Sequence, residues 1–150
     1  MAGDALIIRQ AADSEGDGMH FEVATARREQ FIDITEKIAR IVSATGVPDG
    51  AVVVYCPHTT AGITINENAD PDVVVDLLAG LERLAPRDAG WRHREGNSDG
   101  HLKASLIGSS VTVPIGEGRM LLGTWQGIYL GEFDGPRHRG VLVTVLEAAT

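Results

Sequence analysis

The segment Cys56-Pro57-His58-Thr59-Thr60-Ala61-Gly62-Ile63-Thr64-Ile65-Asn66-Glu67-Asn68-Ala69-Asp70-Pro71 constrains this chain more than any other. Ahead of it, Asp49-Gly50 makes a turn, and Ala51 to Tyr55 is a short apolar run rich in β-branched residues, the pattern of a buried strand. Behind it, Asp70 fits an N-cap. Pro71 fits the first helical position, where the N–H that proline lacks has no partner inside the helix anyway. Pro57-His58 leaves no room for a crossover helix between Ala51–Tyr55 and Thr59–Ile65, so the chain bends or returns antiparallel there. A histidine, an acid and two asparagines are thus crowded between a strand and a helix, where scaffolds place their sites.

The rest of the chain supports an α+β domain of mostly antiparallel, sandwich-like sheets with two to three helices. Alternation over His20 to Ala26 predicts a first strand. Ile34, Ile38, Ile41 and Val42 predict a helix capped by Asp33 or Thr35 and ended near Gly46-Val47-Pro48. After Asp70, a helix carries Val74, Leu77, Leu78, Leu81 and Leu84 on one side and stops before Pro86. His101 to Ile107 reads as a short helix closed by Gly108. Strands are expected over Ser110–Ile115, over Arg119–Phe133 with breaks at its glycines, and over Val141–Leu146, with Pro114 at an edge or bulge. The 150 residues make one domain over 19–150, and residues 1–18 are expected to be an extension in loop or disorder.

Composition narrows the function classes. A formal net charge of −8 argues against a general nucleic-acid partner, which needs a basic face. No apolar run approaches the roughly 20 residues of a membrane helix. Asp4 stands where an export signal carries positive charge, so the cytoplasm is the expected location. The single cysteine, Cys56, excludes an internal disulfide and a multi-cysteine zinc cage.

His58-Thr59-Thr60-Ala61-Gly62-Ile63, then Asn66-Glu67 and Asp70-Pro71, resembles the opening motif of the YjbQ family. Ser110, Val113, Ile115 and Gly118, followed by Gly123-Thr124-Trp125-Gln126-Gly127-Ile128, match the spacing of the same family's second signature. The resemblance runs from about Phe21 to Leu146. It implies an α+β fold, a homotrimer and thiamine-phosphate synthesis, possible as a secondary activity, in which a pyrimidine-methyl diphosphate joins a thiazole phosphate.

The candidate site residues divide by chemistry. His58, His93 and His101 are candidate ligands for a divalent metal, zinc or magnesium, because three imidazoles leave an open coordination position; read without the resemblance, three separate hydrogen-bonded histidines are the favoured reading. The resemblance matches these three to histidines that family members carry near a metal or anion pocket. Glu67 and His58 are candidate catalytic groups, and Asp99 is a further one, as a ligand or as an acceptor orienting a histidine; Glu67 also fits a helix-start hydrogen bond and Asp99 a loop cap. Lys103, Ser109, Gln126, Arg137 and Arg139 are candidates for holding a phosphorylated small molecule, arginine being suited to a two-point grip on phosphate. The rival readings are a metal-dependent phosphate-ester hydrolase and a non-catalytic trimeric protein that binds a metal or anion.

Overall fold

A computed structural model describes residues 7–9 and 20–149. Twelve elements follow along the chain: β1 (Ile7–Arg9), β2 (His20–Ala24), β3 (Gln30–Asp33), α1 (Thr35–Thr45), β4 (Gly50–Tyr55), β5 (Ala61–Glu67), α2 (Pro71–Leu84), α3 (Ser98–Ile107), β6 (Ser110–Gly116), β7 (Arg119–Met120), β8 (Gln126–Glu132) and β9 (His138–Glu147). They form the expected α+β fold with antiparallel pairing between all bonded strands. Within residues 1–18, Ile7–Arg9 is a strand paired with Val145–Glu147, and the remainder of the expected loop lies outside the described residues.

The larger sheet is built on β9, which pairs with β4 along one edge and with β1 and β2 along the other; β6 and β7 extend it beyond β4. Register explains the alternation: Val52 and Val54 stand opposite Val145 and Val143 and also opposite Val113 and Val111. Their side chains therefore share one face, as the two-residue period of a strand requires. That face meets Ile63 of β5, Ile128 and Leu130 of β8, and Ile38 and Val42 of α1 in one buried cluster. Each fully buried aliphatic side chain is worth about 1.5–3 kcal/mol relative to exposure, so this cluster dominates the stability of the fold.

The smaller sheet has the order β3-β8-β5. Its other face carries a second cluster in which Leu81 of α2, Ala104 of α3 and Phe133 pack with Phe31 and Ile107. Phe31 meets the rings of Tyr129 and Phe133 edge to face, at centroid distances of 6.0 and 5.9 Å. The layers are thus large sheet, small sheet, then α2 and α3. Strand β3 was absent from the sequence reading because Gln30-Phe31-Ile32-Asp33 is too short and mixed to show a period.

Local signals behave largely as expected. Asp70 caps α2 by accepting from the Asp72 N–H at 2.9 Å, with Pro71 at the first position. At α1, Ile34 takes the cap position, while Asp33 Oδ1 accepts from the Thr35 N–H at 2.9 Å. Gly46 ends α1 with φ 68°, a left-handed conformation that glycine adopts without a Cβ penalty. Pro114 lies on β6 opposite Ala51 and just past the two residues that β7 covers; its carbonyl accepts from the Leu121 N–H at 2.8 Å, so this end of the ladder bonds to it through the carbonyl. One position on the apolar side of α2 departs from expectation: Leu81 is buried but Leu84 is 72% exposed. The strand expected over 119–133 is split into β7 and β8 by a turn in which Gln126 Oε1 accepts from the Gly123 N–H.

Candidate active site

The Cys56–Thr60 bend carries the chain from the large sheet to the small one. Its start is held where the Cys56 N–H donates to the Ser109 carbonyl at 2.8 Å, and its end where the Ile63 N–H donates to the Gly108 carbonyl at 3.0 Å. A Cβ at Gly62 would sit 2.5 Å from that Gly108 oxygen, so only glycine lets β5 approach the end of α3 so closely. The bend, the first turns of α3 and the start of β9 enclose a cleft of about 450 Å³. His58, His93 and His101 all line it, together with Asn97, Arg137 and Arg139.

The three histidines are not equivalent. His93 and His101 face each other edge to face with ring centroids 5.3 Å apart. His93 Nε2 also lies 3.8 Å from a carboxylate oxygen of Glu95. His58 Nε2 accepts the Gly140 N–H at 2.9 Å. Burial, and after it the positive Arg139 nearby, push its pKa below the usual imidazole value, outweighing the opposing pull of Glu132. His58 is therefore neutral at pH 7, with its proton on Nδ1 and its one lone pair already committed. Among the described residues, the ligand atoms of the three histidines do not gather within 4.8 Å of one another; the group that does is Glu29, Glu82 and Asp99.

Beneath the cleft runs a buried ionic network that organises it. Arg139, 4% exposed, donates through Nε to Glu132 Oε2 at 2.9 Å and through Nη2 to Glu132 Oε1 at 2.6 Å. The same Nη2 reaches Thr60 Oγ1 at 2.8 Å, which ties β9 to the bend. Glu132 also accepts from the Thr25 hydroxyl at 2.9 Å and the Asp134 N–H at 3.0 Å. Burial would raise its pKa, but Arg139 and these donors outweigh that and hold it below the ordinary carboxylate value. Among the described residues, Arg139 Nη1 has no hydrogen-bond partner. Arg137, exposed, folds back on Asp134 at 2.9 Å.

Asn97 stands immediately before α3 and is 7% exposed. Its Nδ2 donates to Asp134 Oδ2 at 2.8 Å, and its Oδ1 has no partner among the described residues. Asp134 is held ionised: burial would raise its pKa, but Asn97 and Arg137 outweigh it. An ionised carboxylate only accepts, so the amide nitrogen must face it and the oxygen is the atom left over. Asn97 and Glu132 were both missed as site residues in the sequence. The available signals were an asparagine just ahead of a helix and a lone acid closing an apolar strand.

Other candidates lie elsewhere. Lys103 is fully buried, with its ammonium among Glu29, Glu82 at 2.5 Å and Asp99 at 3.4 Å. Asp99 is gripped at two points by Arg28, at 2.9 and 3.0 Å. The three close acids thus surround a lysine, and together with Arg28 they bind α2, α3 and the β2–β3 loop to one another. Glu67 and Gln126 pair at the far end of the small sheet. Six residue steps along β5 separate Glu67 from Ala61, roughly 20 Å at a strand's rise per residue. Glu67 takes part in no helix-start bond; its carbonyl accepts from the Tyr129 hydroxyl at 3.2 Å. Ser109 lines a neighbouring cavity that also touches His58 and His101.

Comparison with known proteins places this arrangement. The family described as "UPF0047 protein YjbQ-like" matches residues 19–148. The chain is 51% identical over 126 residues to the UPF0047 protein MJ1081 of Methanocaldococcus jannaschii, spanning 84% of this chain and 91% of that protein. It is 48% identical over 126 residues to the UPF0047 protein YugU of Bacillus subtilis, spanning 83% and 96%. An uncharacterized conserved protein of the YjbQ/UPF0047 family from Clostridium acetobutylicum superposes with a TM-score of 0.83 at 54% identity, over 85% of this chain and 98% of that one. A YbjQ-like protein of unknown function from Sulfolobus solfataricus gives 0.83 at 33% identity, over 85% and 94%. With the motifs, the fold and nearly the full length in agreement, this chain belongs to the YjbQ-like UPF0047 family.

Proposed function

We propose that the chain is an enzyme acting on a phosphorylated small molecule in the His58–His101 cleft, with a reaction of the thiamine-phosphate-synthase type. The observation that carries this is the convergence of His58, His93, His101, Arg137 and Arg139, from three separate stretches of the sequence, on one cleft. In such a reaction the thiazole nitrogen lone pair forms a C–N bond to the pyrimidine methylene carbon. The C–O bond to diphosphate breaks, and its electron pair leaves with the diphosphate.

The nucleophilic nitrogen carries no proton, so this chemistry requires no general base. It requires donors placed where negative charge grows on the leaving group, and two reactants held in line. Arg139 Nη1, the Arg137 guanidinium and the imidazoles of His93 and His101 supply such donors. Glu67, at the far end of β5, has no part in the step on this reading.

A divalent metal fits the donor set in part. His93 and His101 are two adjacent imidazoles suited to zinc more than to magnesium, which prefers oxygen ligands. His58 joins them only by releasing Gly140. A bound cation would supply further positive charge to the diphosphate. The same reading includes a homotrimer, for which the exposed Val75, Leu84 and Trp125 offer apolar surface.

The test is an assay of purified protein for thiamine phosphate from the two precursors, with Arg137→Ala and His101→Ala alongside and metal content measured on the same samples. Product formation that falls at least tenfold in both variants is expected. Absence of product from wild type with full metal occupancy rejects the reaction. Sedimentation of a monomer at micromolar concentration rejects the trimer.

A further inference from the structure

The imidazoles aside, the charges of the cleft do not favour an anion as they stand. Arg139 is paired with Glu132 and Arg137 with Asp134, and Glu95 lies in the same wall, so two guanidiniums answer three carboxylates. The Arg137 side chain is 53% exposed and that of His93 45%, so the cleft opens to water, which weakens any attraction left. A phosphate or diphosphate held here needs a cation that no acid has already claimed.

Such cations stand on the segment that borders the cleft. Among the described residues, Arg92 and Arg94 have no ion-pair partner. They flank His93, which lines the cleft together with Glu95. Arg94 and Glu95 occupy the tip of a turn closed by the Gly96 N–H, which donates to the His93 carbonyl at 3.3 Å. At that tip the acid contributes to the cleft wall and the neighbouring arginine does not.

The segment has the construction of a moving part. Every residue from 86 to 96 is exposed. Its hydrogen bonds are local: the Arg87 N–H donates to Glu82 Oε1 at 3.1 Å, and the Trp91 indole N–H to the Pro86 carbonyl at 2.9 Å. Among the described residues, no hydrogen bond ties residues 88–96 to a sheet or to α3; the His93 ring rests on that of His101. Gly90 and Gly96 bracket residues 91–95 with φ 71° and 72°, and a Cβ at either would meet nothing within 4 Å. They are glycine for conformational freedom and not for room, which suits hinges. Exposed backbone with few packed contacts opens and closes at little cost.

Asn97, next to the second hinge, adds a bias toward closing. It is buried, lines the cleft, and has its Oδ1 unpaired among the described residues. Buried acceptors in folded proteins are nearly always bonded. The open arrangement therefore leaves unmade a bond that an amide N–H of the moved segment can make.

Resting on the phosphorylated-substrate reading given above, we propose that residues 91–95 form a lid. Turning about Gly90 and Gly96, the lid carries Glu95 out of the cleft and brings Arg94 in, where its guanidinium holds the phosphate or diphosphate together with Arg139 Nη1. The closed cleft then sets three guanidiniums, Arg94, Arg137 and Arg139, against two carboxylates, Glu132 and Asp134, and keeps water from the anion.

The test adds inorganic diphosphate to the full chain and follows amide hydrogen exchange and tryptophan emission. Exchange over residues 91–96 should slow about tenfold or more as the lid packs down. Emission should change in wild type and stay constant in Trp91→Phe, since closing takes the Trp91 indole away from the Pro86 carbonyl. Arg94→Ala should weaken diphosphate about tenfold or more and abolish the slowed exchange. Arg87→Ala removes the same charge outside the hinges and should leave the affinity within about twofold, as expected of screened surface charge.

Unchanged exchange at saturating diphosphate, equal weakening by Arg94→Ala and Arg87→Ala, or no binding of diphosphate each overturns the lid. If the lid closes as expected and wild type makes no thiamine phosphate, the reaction is wrong and the lid stands. If wild type makes thiamine phosphate and Arg94→Ala makes it equally well, the reaction stands and the lid falls.

Discussion

Arg139 and Glu132 meet in the interior through two parallel hydrogen bonds of 2.9 and 2.6 Å, and neither side chain is more than 5% exposed. The pair joins the start of β9 to the end of β8. It also brings the guanidinium against Thr60, so the His58 bend, the Asp134 turn and β9 share one fixed point. The pair's place beneath the cleft makes it a positioning device as well as a stability element.

Removing one partner of such a pair leaves the other charge buried alone. Glu132→Gln should cost about 3–5 kcal/mol of unfolding free energy, read from urea denaturation at pH 7. Arg139→Lys should not be benign, because an ammonium cannot reproduce the two-point fork. A loss under about 1 kcal/mol for Glu132→Gln would show that the pair contributes little.

Acid should destabilise the protein through this network. Glu132, Asp99 and Asp134 have carboxyl groups held below their ordinary values: burial alone would raise each, and bonded donors outweigh it, Arg139 for Glu132, Arg28 for Asp99 and Asn97 for Asp134. A carboxylate with a depressed folded pKa contributes stability above its unfolded value, about 4, that is lost as pH falls through the folded value. The contribution of these carboxylates should therefore hold from pH 7 to about 5 and drop below 4. Denaturation curves at pH 7, 5 and 3 check this, and Glu132→Gln should flatten the drop.

His58 should titrate below the ordinary imidazole range, for burial first and the Arg139 charge second. Nitrogen NMR should show an unprotonated Nε2 and a protonated Nδ1 at pH 7, with the Gly140 amide protected from exchange. Because its folded pKa is depressed, the associated stability is present above about pH 6.5 and declines as pH falls through the folded value. Zinc recruiting His58 would expose itself by loss of Gly140 protection, and protection unchanged at full zinc occupancy would limit the ligands to His93, His101 and others.

Lys103→Met should destabilise the fold by about 3–5 kcal/mol, unlike a surface lysine, since Glu29, Glu82 and Asp99 would be left facing one another. Lys103 is 0% exposed. A variant as stable as wild type, judged by its thermal midpoint, would mean that the acids relax outward to water.

Glu67→Gln should leave turnover and ligand binding within about twofold, because Glu67 lies at the opposite end of β5 from His58. A fall of two to four powers of ten, the size expected of a general acid or base, would instead require a neighbouring copy to bring its Glu67 to this cleft. Steady-state assay of the variant decides it.

The local elements were legible because their causes are local. Asp70-Pro71 starts α2 whatever surrounds it, Gly46 ends α1, and the valines of β4 and β9 announce a buried sheet by composition and period. The His58 bend was marked as a site by the same means, and His93, His101, Arg137 and Arg139 are found around it. What no window of sequence contains is which distant residue each charge meets. Lys103 looked like an anion-binding lysine until α2 and the β2–β3 loop supplied its acids; Arg139 looked free until Glu132, across the Asp134 turn, took two of its nitrogens; Glu67 is close to His58 in sequence and far from it along an extended strand. Backbone propensities act over a few residues and are written into them, whereas burial, ion pairing and proton position depend on contacts between residues far apart in sequence, such as Thr25 with Arg137, 112 positions away, that exist only once the sheets have closed.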